Sequence, residues 1–214
     1  MISTAFLFVD LLNPEEIIKW GGLALLLFII FAETGLFFGF FLPGDSLLFI
    51  AGILSDTEYL SVNVWMLVLL LTVCAVAGTC VGYGFGRWAE NYLKNRKENF
   101  FYKKKYMEVA QDFYKRYGMT AFIMGRFLPI VRTFVPILAG MVRIDFGKFF
   151  FFNAVGAATW IIVMVMAGHL LGNAFPTITE HLEIIVGGMV LITTIPLVIS
   201  WQRNRNSFGK NEVK

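Results

Sequence analysis

The 214-residue chain is 57% hydrophobic and 15% charged, with a mean hydropathy of +0.70 and a net charge of +3. Soluble globular domains carry about 25% charged residues, so the composition excludes an ordinary soluble domain and describes an integral membrane protein. Cys74 and Cys80 lie in one apolar stretch where a helix points them to different faces, so free core thiols are expected.

The N-terminus, MISTAFLFVDLL, lacks a basic region and a small-residue cleavage site, so no signal peptide is expected. The first apolar stretch, 17–54, is interrupted by Glu33, by Pro43-Gly44 and by Asp45. Residues 62–86 are long enough to span, since about 20 residues cross the hydrocarbon core. The polar segment 87–118 follows, with nine basic residues (Arg87, Lys94, Arg96, Lys97, Lys103, Lys104, Lys105, Lys115, Arg116) against four acidic ones (Glu90, Glu98, Glu108, Asp112). Its run NFFYKKKYMEVAQDFYKRY suits an amphipathic helix on an anionic leaflet; a solvated loop with a short helix is the plainer alternative. The positive-inside rule places this linker in the cytoplasm, with the tail bearing Arg203, Arg205, Lys210 and Lys214. Residues 119–142 are apolar but hold Arg126, Pro129, Arg132 and Pro136, and 147–172 and 182–201 are further spans. If 119–142 does not cross, two crossings return the tail to the cytoplasm, in agreement with the charge bias.

One pentapeptide occurs twice: GFFLP at 39–43 and GRFLP at 125–129, 86 positions apart. At the same offset, Gly82-Tyr83-Gly84-Phe85-Gly86 maps onto Gly168-His169-Leu170-Leu171-Gly172, which points to an internal repeat. Proline removes a backbone donor and Pro-Gly signals a turn, so Pro43, Gly44, Pro129 and Pro136 mark hairpin tips. If each hairpin enters and leaves on one side, one span separates them and their tips face each other across the bilayer, as in inverted-repeat transporters. If both stretches cross fully, the repeats are parallel. The hairpins are preferred, because two prolines and two arginines make 119–142 a poor lipid-exposed span. The expected fold is all-α and membrane-integral, an inverted repeat of re-entrant helical hairpin plus transmembrane helix. Repeat 1 covers about 17–88, the cytoplasmic amphipathic linker 89–118 and repeat 2 about 119–172. A C-terminal transmembrane helix at 182–201 and a tail, 202–214, complete it.

Four ionisable residues cluster about the tips: Glu33 and Asp45, then Arg126 and Arg132. Each costs roughly 2.5–3.5 kcal/mol at the bilayer centre, so pairing or a hydrated cavity is required. Two guanidiniums in a sheltered pocket make bidentate phosphate partners, and the carboxylates would neutralise them when the pocket is empty. Protonating Glu33 would free an arginine for an anionic headgroup, which couples protons to anion movement. Plainer roles exist: Asp45 could N-cap the returning arm, Glu33 could sit at the interface, and both arginines could snorkel. Arg143, Asp145 and Lys148 read as interfacial. Gly78, Gly82 and Gly86 form a close-packing stripe, and Gly168 and Gly172 a second. Tyr83 and His169 read as structural polar contacts, with a proton-relay role open for the histidine. Trp65, Trp88 and Trp160 read as packing or interface residues.

The stretches ETGLFFGFFLPGDSLLFIAG, GYGFGRW and GRFLPIVRTFVPILAG, with a tryptophan-bearing span after them, resemble the DedA family of bacterial membrane proteins over roughly residues 15–172. The resemblance implies inverted repeats with re-entrant hairpins in the cytoplasmic membrane. It also implies lipid movement across the bilayer, notably the return of undecaprenyl phosphate to the cytoplasmic face, driven by the proton gradient. By motif, the family's essential acids fall on Glu33 and Asp45, and its essential arginines on Arg126 and Arg132. His169 stands where the family commonly has tyrosine.

The leading expectation is a lipid-phosphate translocase whose partners are an anionic lipid headgroup, protons and the membrane, with no cofactor, metal or nucleic acid. A homodimer is compatible with the sequence. The alternatives are a phospholipid scramblase and a proton-coupled exporter of small amphipathic compounds. A scaffold is a further rival, for which Arg132→Ala would be silent. With neither HExxH nor GxSxG and only His169 and His181, an intramembrane enzyme is disfavoured.

Overall fold

The computed structural model describes residues 14–36, 39, 42–57, 59–94 and 118–175. Most of the basic linker, the expected span 182–201 and the tail 202–214 lie outside the described residues. Apart from an isolated bridge between Ser55 and Leu60, the regular elements among the described residues are helical.

Helix α1 (Pro14–Gly35) kinks at Gly22, whose φ of 55° and ψ of −150° suit glycine alone. Its apolar part, Gly21–Gly35, is about 22 Å long, short of the roughly 30 Å hydrocarbon core. The helix ends at Gly35, and a new one starts after Pro43. Helix α2 (Gly44–Ile53) is only ten residues long, about half a bilayer. Helix α3 (Val64–Lys94) is capped by Asn63, whose Oδ1 accepts from the Trp65 amide at 3.0 Å. It runs past the expected end at residue 86, because RWAENYLK contains no glycine or proline to stop it. The first part of the expected linker is thus helical.

The second half begins with tight turns. A 3₁₀ turn (Gly118–Thr120), the single-turn helix α4 (Ala121–Met124) and a second 3₁₀ turn (Gly125–Phe127) lead to Leu128, which is extended as the residue before a proline tends to be. Pro129 then opens helix α5 (Pro129–Met141). Pro136 marks no tip: it lies inside α5 and packs against Gly82. Asp145 caps helix α6 (Phe146–Ala174) by accepting from the Lys148 amide at 3.0 Å.

The short arms lie on the long helices of the opposite halves, α2 on α6 and α5 on α3. Glycine allows the approach. A Cβ on Gly168 would strike the Phe49 carbonyl of α2, and one on Gly52 the Val165 carbonyl of α6. Across the molecule, Gly86 meets the Ile137 carbonyl and Gly140 the Tyr83 carbonyl. In these contacts Gly86 corresponds to Gly168, and Tyr83 to Val165, 82 positions apart rather than 86. The sequence match of the two glycine frames is therefore one helical turn out of the register that packing uses.

Two apolar clusters hold the helices together. One joins Ile30, Leu47, Leu48, Leu67, Leu71, Trp160, Ile161 and Val165; the other joins Tyr83, Phe122, Val135, Ala139 and Phe149. The outer surface is apolar as well. Trp65 (63% exposed), Leu69, Val73, Phe85 and Trp88 stud α3, and Phe151, Ile162 and Leu170 stud α6. In water, so much contiguous apolar surface would aggregate; against lipid it costs nothing. Within these helices Val64–Glu90 and Phe146–Ala174 are long and apolar enough to cross a bilayer.

Candidate functional site

The four intramembrane charges come from four helix ends. Glu33 sits in the last turn of α1 and Asp45 in the first turn of α2. Arg126 lies on the 3₁₀ turn before Pro129, and Arg132 just after it on α5. A carboxylate near a helix C-terminus and a guanidinium near an N-terminus both oppose the helix dipole. Glu33 and Arg132 therefore depend on each other.

Arg132 takes both acids. Its Nη1 donates to Asp45 Oδ1 at 2.8 Å, and its Nη2 pairs with Glu33 Oε1. Its guanidinium lies over the Trp160 ring, 4.7 Å from the centroid, and Trp160 Nε1 donates to Asp45 Oδ1 at 2.9 Å. Glu33 and Arg132 are almost wholly buried, so neither snorkels to an interface. Asp45 makes no capping bond to its helix; Pro43 occupies that position. A side chain on Gly44 would overlap the Glu33 carboxylate, so that glycine lets the two arms of the first half meet at the acid.

Arg126 is also buried but is held by neutral groups. Its Nη2 donates to Asn153 Oδ1 on α6 and, at 3.4 Å, to Thr79 Oγ1 on α3. The expected neutralisation of both arginines by the carboxylates does not occur: both acids bind Arg132, and neutral groups hold Arg126. Arg126 and Arg132 nevertheless line one small cleft with Phe122, Gly125, Val135, Pro136 and Asn153. Its volume of about 10 Å³ is near the minimum for one water, so this arrangement is closed to a headgroup. Three buried polar atoms, Glu33 Oε2, Arg132 Nε and Arg126 Nη1, have no hydrogen-bond partner among the described residues.

Asn153, Thr79 and the direct role of Trp160 were not singled out for the site from sequence. The signal existed for Asn153, a lone amide in the apolar run FFFFNAVGAATW, since polar groups inside spans are rare and need partners. The other polar residues sit apart. His169 Nδ1 bonds Ser55 Oγ at 2.8 Å and its Nε2 bonds Asn173 Nδ2 at 3.0 Å, beside the end of α2. Tyr83 donates to the Ile144 carbonyl at 2.6 Å, and Arg143 pairs with Glu90 at 2.8 Å, beside the end of α5. Among the described residues no three His, Cys, Asp or Glu side chains gather as a metal-ligand set.

A helical bundle with an apolar exterior and charged pairs at its centre is an integral membrane protein. Comparison with known proteins gives its kind. The VTT domain model matches residues 42–170. Protein DedA of Escherichia coli is 34% identical over 206 residues, covering 95% of this chain and 94% of its own. Inner membrane protein YqjA of Escherichia coli is 32% identical over 211 residues (94% and 93%), and membrane protein ML0287 of Mycobacterium leprae 33% over 205 (94% and 90%). No solved structure matches the chain. The chain belongs to the DedA family of VTT-domain membrane proteins.

Proposed function

We propose that the protein carries a lipid phosphate across the bacterial cytoplasmic membrane, with undecaprenyl phosphate the leading substrate, and that protons drive it. The observation that carries this is the buried Arg132 bound by two acids beside Arg126, which pairs with no acid among the described residues. In the closed form the acids occupy Arg132. A proton taken up by Glu33 removes one of them, and the two arginines then face the cleft with net positive charge, matched to a phosphate. Loss of that proton restores the pair and expels the headgroup.

On this reading α1–α2 and 118–141 are re-entrant hairpins of an inverted repeat. Half-bilayer helices that break before Gly44, and at the 3₁₀ turn and extended Leu128 before Pro129, support it, as does the exchange of arms between halves. The linker and tail are cytoplasmic by their charge. The chain works without catalysis, and its cavity widens when the arms part. A phospholipid scramblase would use the same arginines with looser headgroup choice. An exporter of small amphipathic compounds would tolerate the loss of one arginine.

The test is transport in vesicles holding labelled undecaprenyl phosphate or phosphatidylethanolamine, with and without a pH gradient. Wild type is expected to move the lipid phosphate faster under the gradient. Glu33→Gln should lose the gradient response. Arg132→Ala should lower the rate at least about tenfold, the least expected from losing a charge-assisted hydrogen bond. Equal rates in all three proteins would refute the mechanism.

A further inference from the structure

Arg126 is anchored on one side only. Its Nη2 is held by Asn153 and Thr79, while its buried Nη1 has no partner among the described residues and the side chain lines the cleft. The proton directions within the anchor are consistent. Thr79 donates its single hydrogen to its own helix, to the Ala75 carbonyl at 2.8 Å or the Val76 carbonyl at 2.9 Å. Its lone pairs are thereby left to accept from Asn153 Nδ2 at 2.6 Å and from Arg126. With Nδ2 committed to Thr79, the Asn153 amide can turn only its oxygen to Arg126. Three elements are tied by this chain: α3, the turn before α5, and α6.

The anchor orients the guanidinium without cancelling its charge. A carboxylate at residue 153 would also accept from Arg126 but would neutralise it. Carboxylates do bind Arg132, six residues further on, so the two arginines of one cleft are held by opposite strategies.

We propose that Asn153, fixed by Thr79, is a positioning residue that presents Arg126 Nη1 to a phosphate oxygen with its positive charge intact. Arg126 is then the first contact of the headgroup, and Arg132 the second, released when its acids let go. The inference rests on the lipid-phosphate reading above and assigns it the side chains that set affinity.

The test uses full-length protein in detergent, titrated by calorimetry with geranyl phosphate, inorganic phosphate and geraniol, together with undecaprenyl phosphate transport in vesicles. Asn153→Asp is nearly isosteric and puts a carboxylate on Arg126. It is expected to weaken geranyl phosphate binding and raise KM by at least about tenfold, the size of one charge-assisted contact, with kcat little changed and the thermal midpoint equal to wild type or higher. A merely structural asparagine predicts no loss of binding, because a carboxylate still accepts from Arg126 and Thr79 can turn its hydrogen from the helix carbonyl to the new oxygen. Thr79→Val serves should Asn153→Asp fail to fold; it loosens the anchor and should raise KM about threefold to tenfold, in the range of one neutral hydrogen bond. Wild-type binding that neither variant alters overturns the positioning role and leaves the lipid-phosphate reading standing. Equal affinity for inorganic phosphate supports the anion subsite and overturns its lipid source. No binding of either phosphate by wild type overturns both.

Discussion

Arg132→Ala is expected to cost about 3–5 kcal/mol of folding stability, beyond its effect on transport, because it strands buried charge. Arg132 is the counter-charge of Glu33, which is fully buried, and it also bonds Asp45. Removing it leaves a carboxylate in the last turn of α1, where the helix dipole already opposes it. The stack on Trp160 is lost as well. Asp45 is better placed to survive, since Trp160 still donates to it and its side chain is 15% exposed. The double variant Glu33→Leu/Arg132→Met separates structure from function. Replacing a buried ion pair with apolar side chains of similar volume is often neutral or stabilising by about 1–4 kcal/mol. The double variant should therefore unfold at or above the wild-type denaturant midpoint in micelles, yet carry no lipid phosphate. A single variant that loses less than about 1 kcal/mol would mean that Glu33 finds another cation or is not charged in the resting protein.

The sequence exposed this site because it breaks the rules of its surroundings. Charges in apolar stretches, and Pro-Gly where a span should continue, are legible without coordinates; Glu33 and Asp45 do meet Arg132, and Arg132 shares a cleft with Arg126. What could not be read was the pairing. Equal numbers of acids and bases suggest one partner each, but pairing depends on which helix ends meet, and both acid-bearing ends meet Arg132. The neutral anchor of Arg126 escaped for a related reason. Thr79 and Asn153 are 74 residues apart, and nothing local tells a threonine bonded only to its own helix from one that also holds an asparagine. The glycine register failed differently. Short apolar words align at several offsets, and only backbone contact distinguishes Gly86 with Gly168 from Gly82 with Gly168. Helix α3 ran long because a composition boundary at residue 87 is not a conformational one.

That register makes the second large prediction sharp, because one of three neighbouring glycines of α3 should respond unlike the other two. Gly84 has nothing within 4 Å of an added Cβ, so Gly84→Ala should be neutral or stabilising by up to about 1 kcal/mol through helix propensity. At Gly82 the nearest atoms are in ordinary contact, at 3.5 Å or more, so alanine should be tolerated there too. Gly86 abuts the Ile137 carbonyl, which is backbone and cannot rotate away. Gly86→Val should therefore push α5 from α3 and cost about 1–3 kcal/mol, as overpacking does. Gly168→Val should do the same to α2 through the Phe49 carbonyl. The consequences reach the charges, because moving α5 and the turn before it carries Arg126 away from Thr79 on α3, and moving α2 carries Asp45 away from Trp160 on α6. Both valine variants should lose transport along with stability, whereas Gly84→Val should lose little of either, as denaturant unfolding and the vesicle assay would report. If all three behave alike, the short arms do not lie on the opposite long helices, and Glu33, Asp45 and Arg132 have no scaffold that would bring them together.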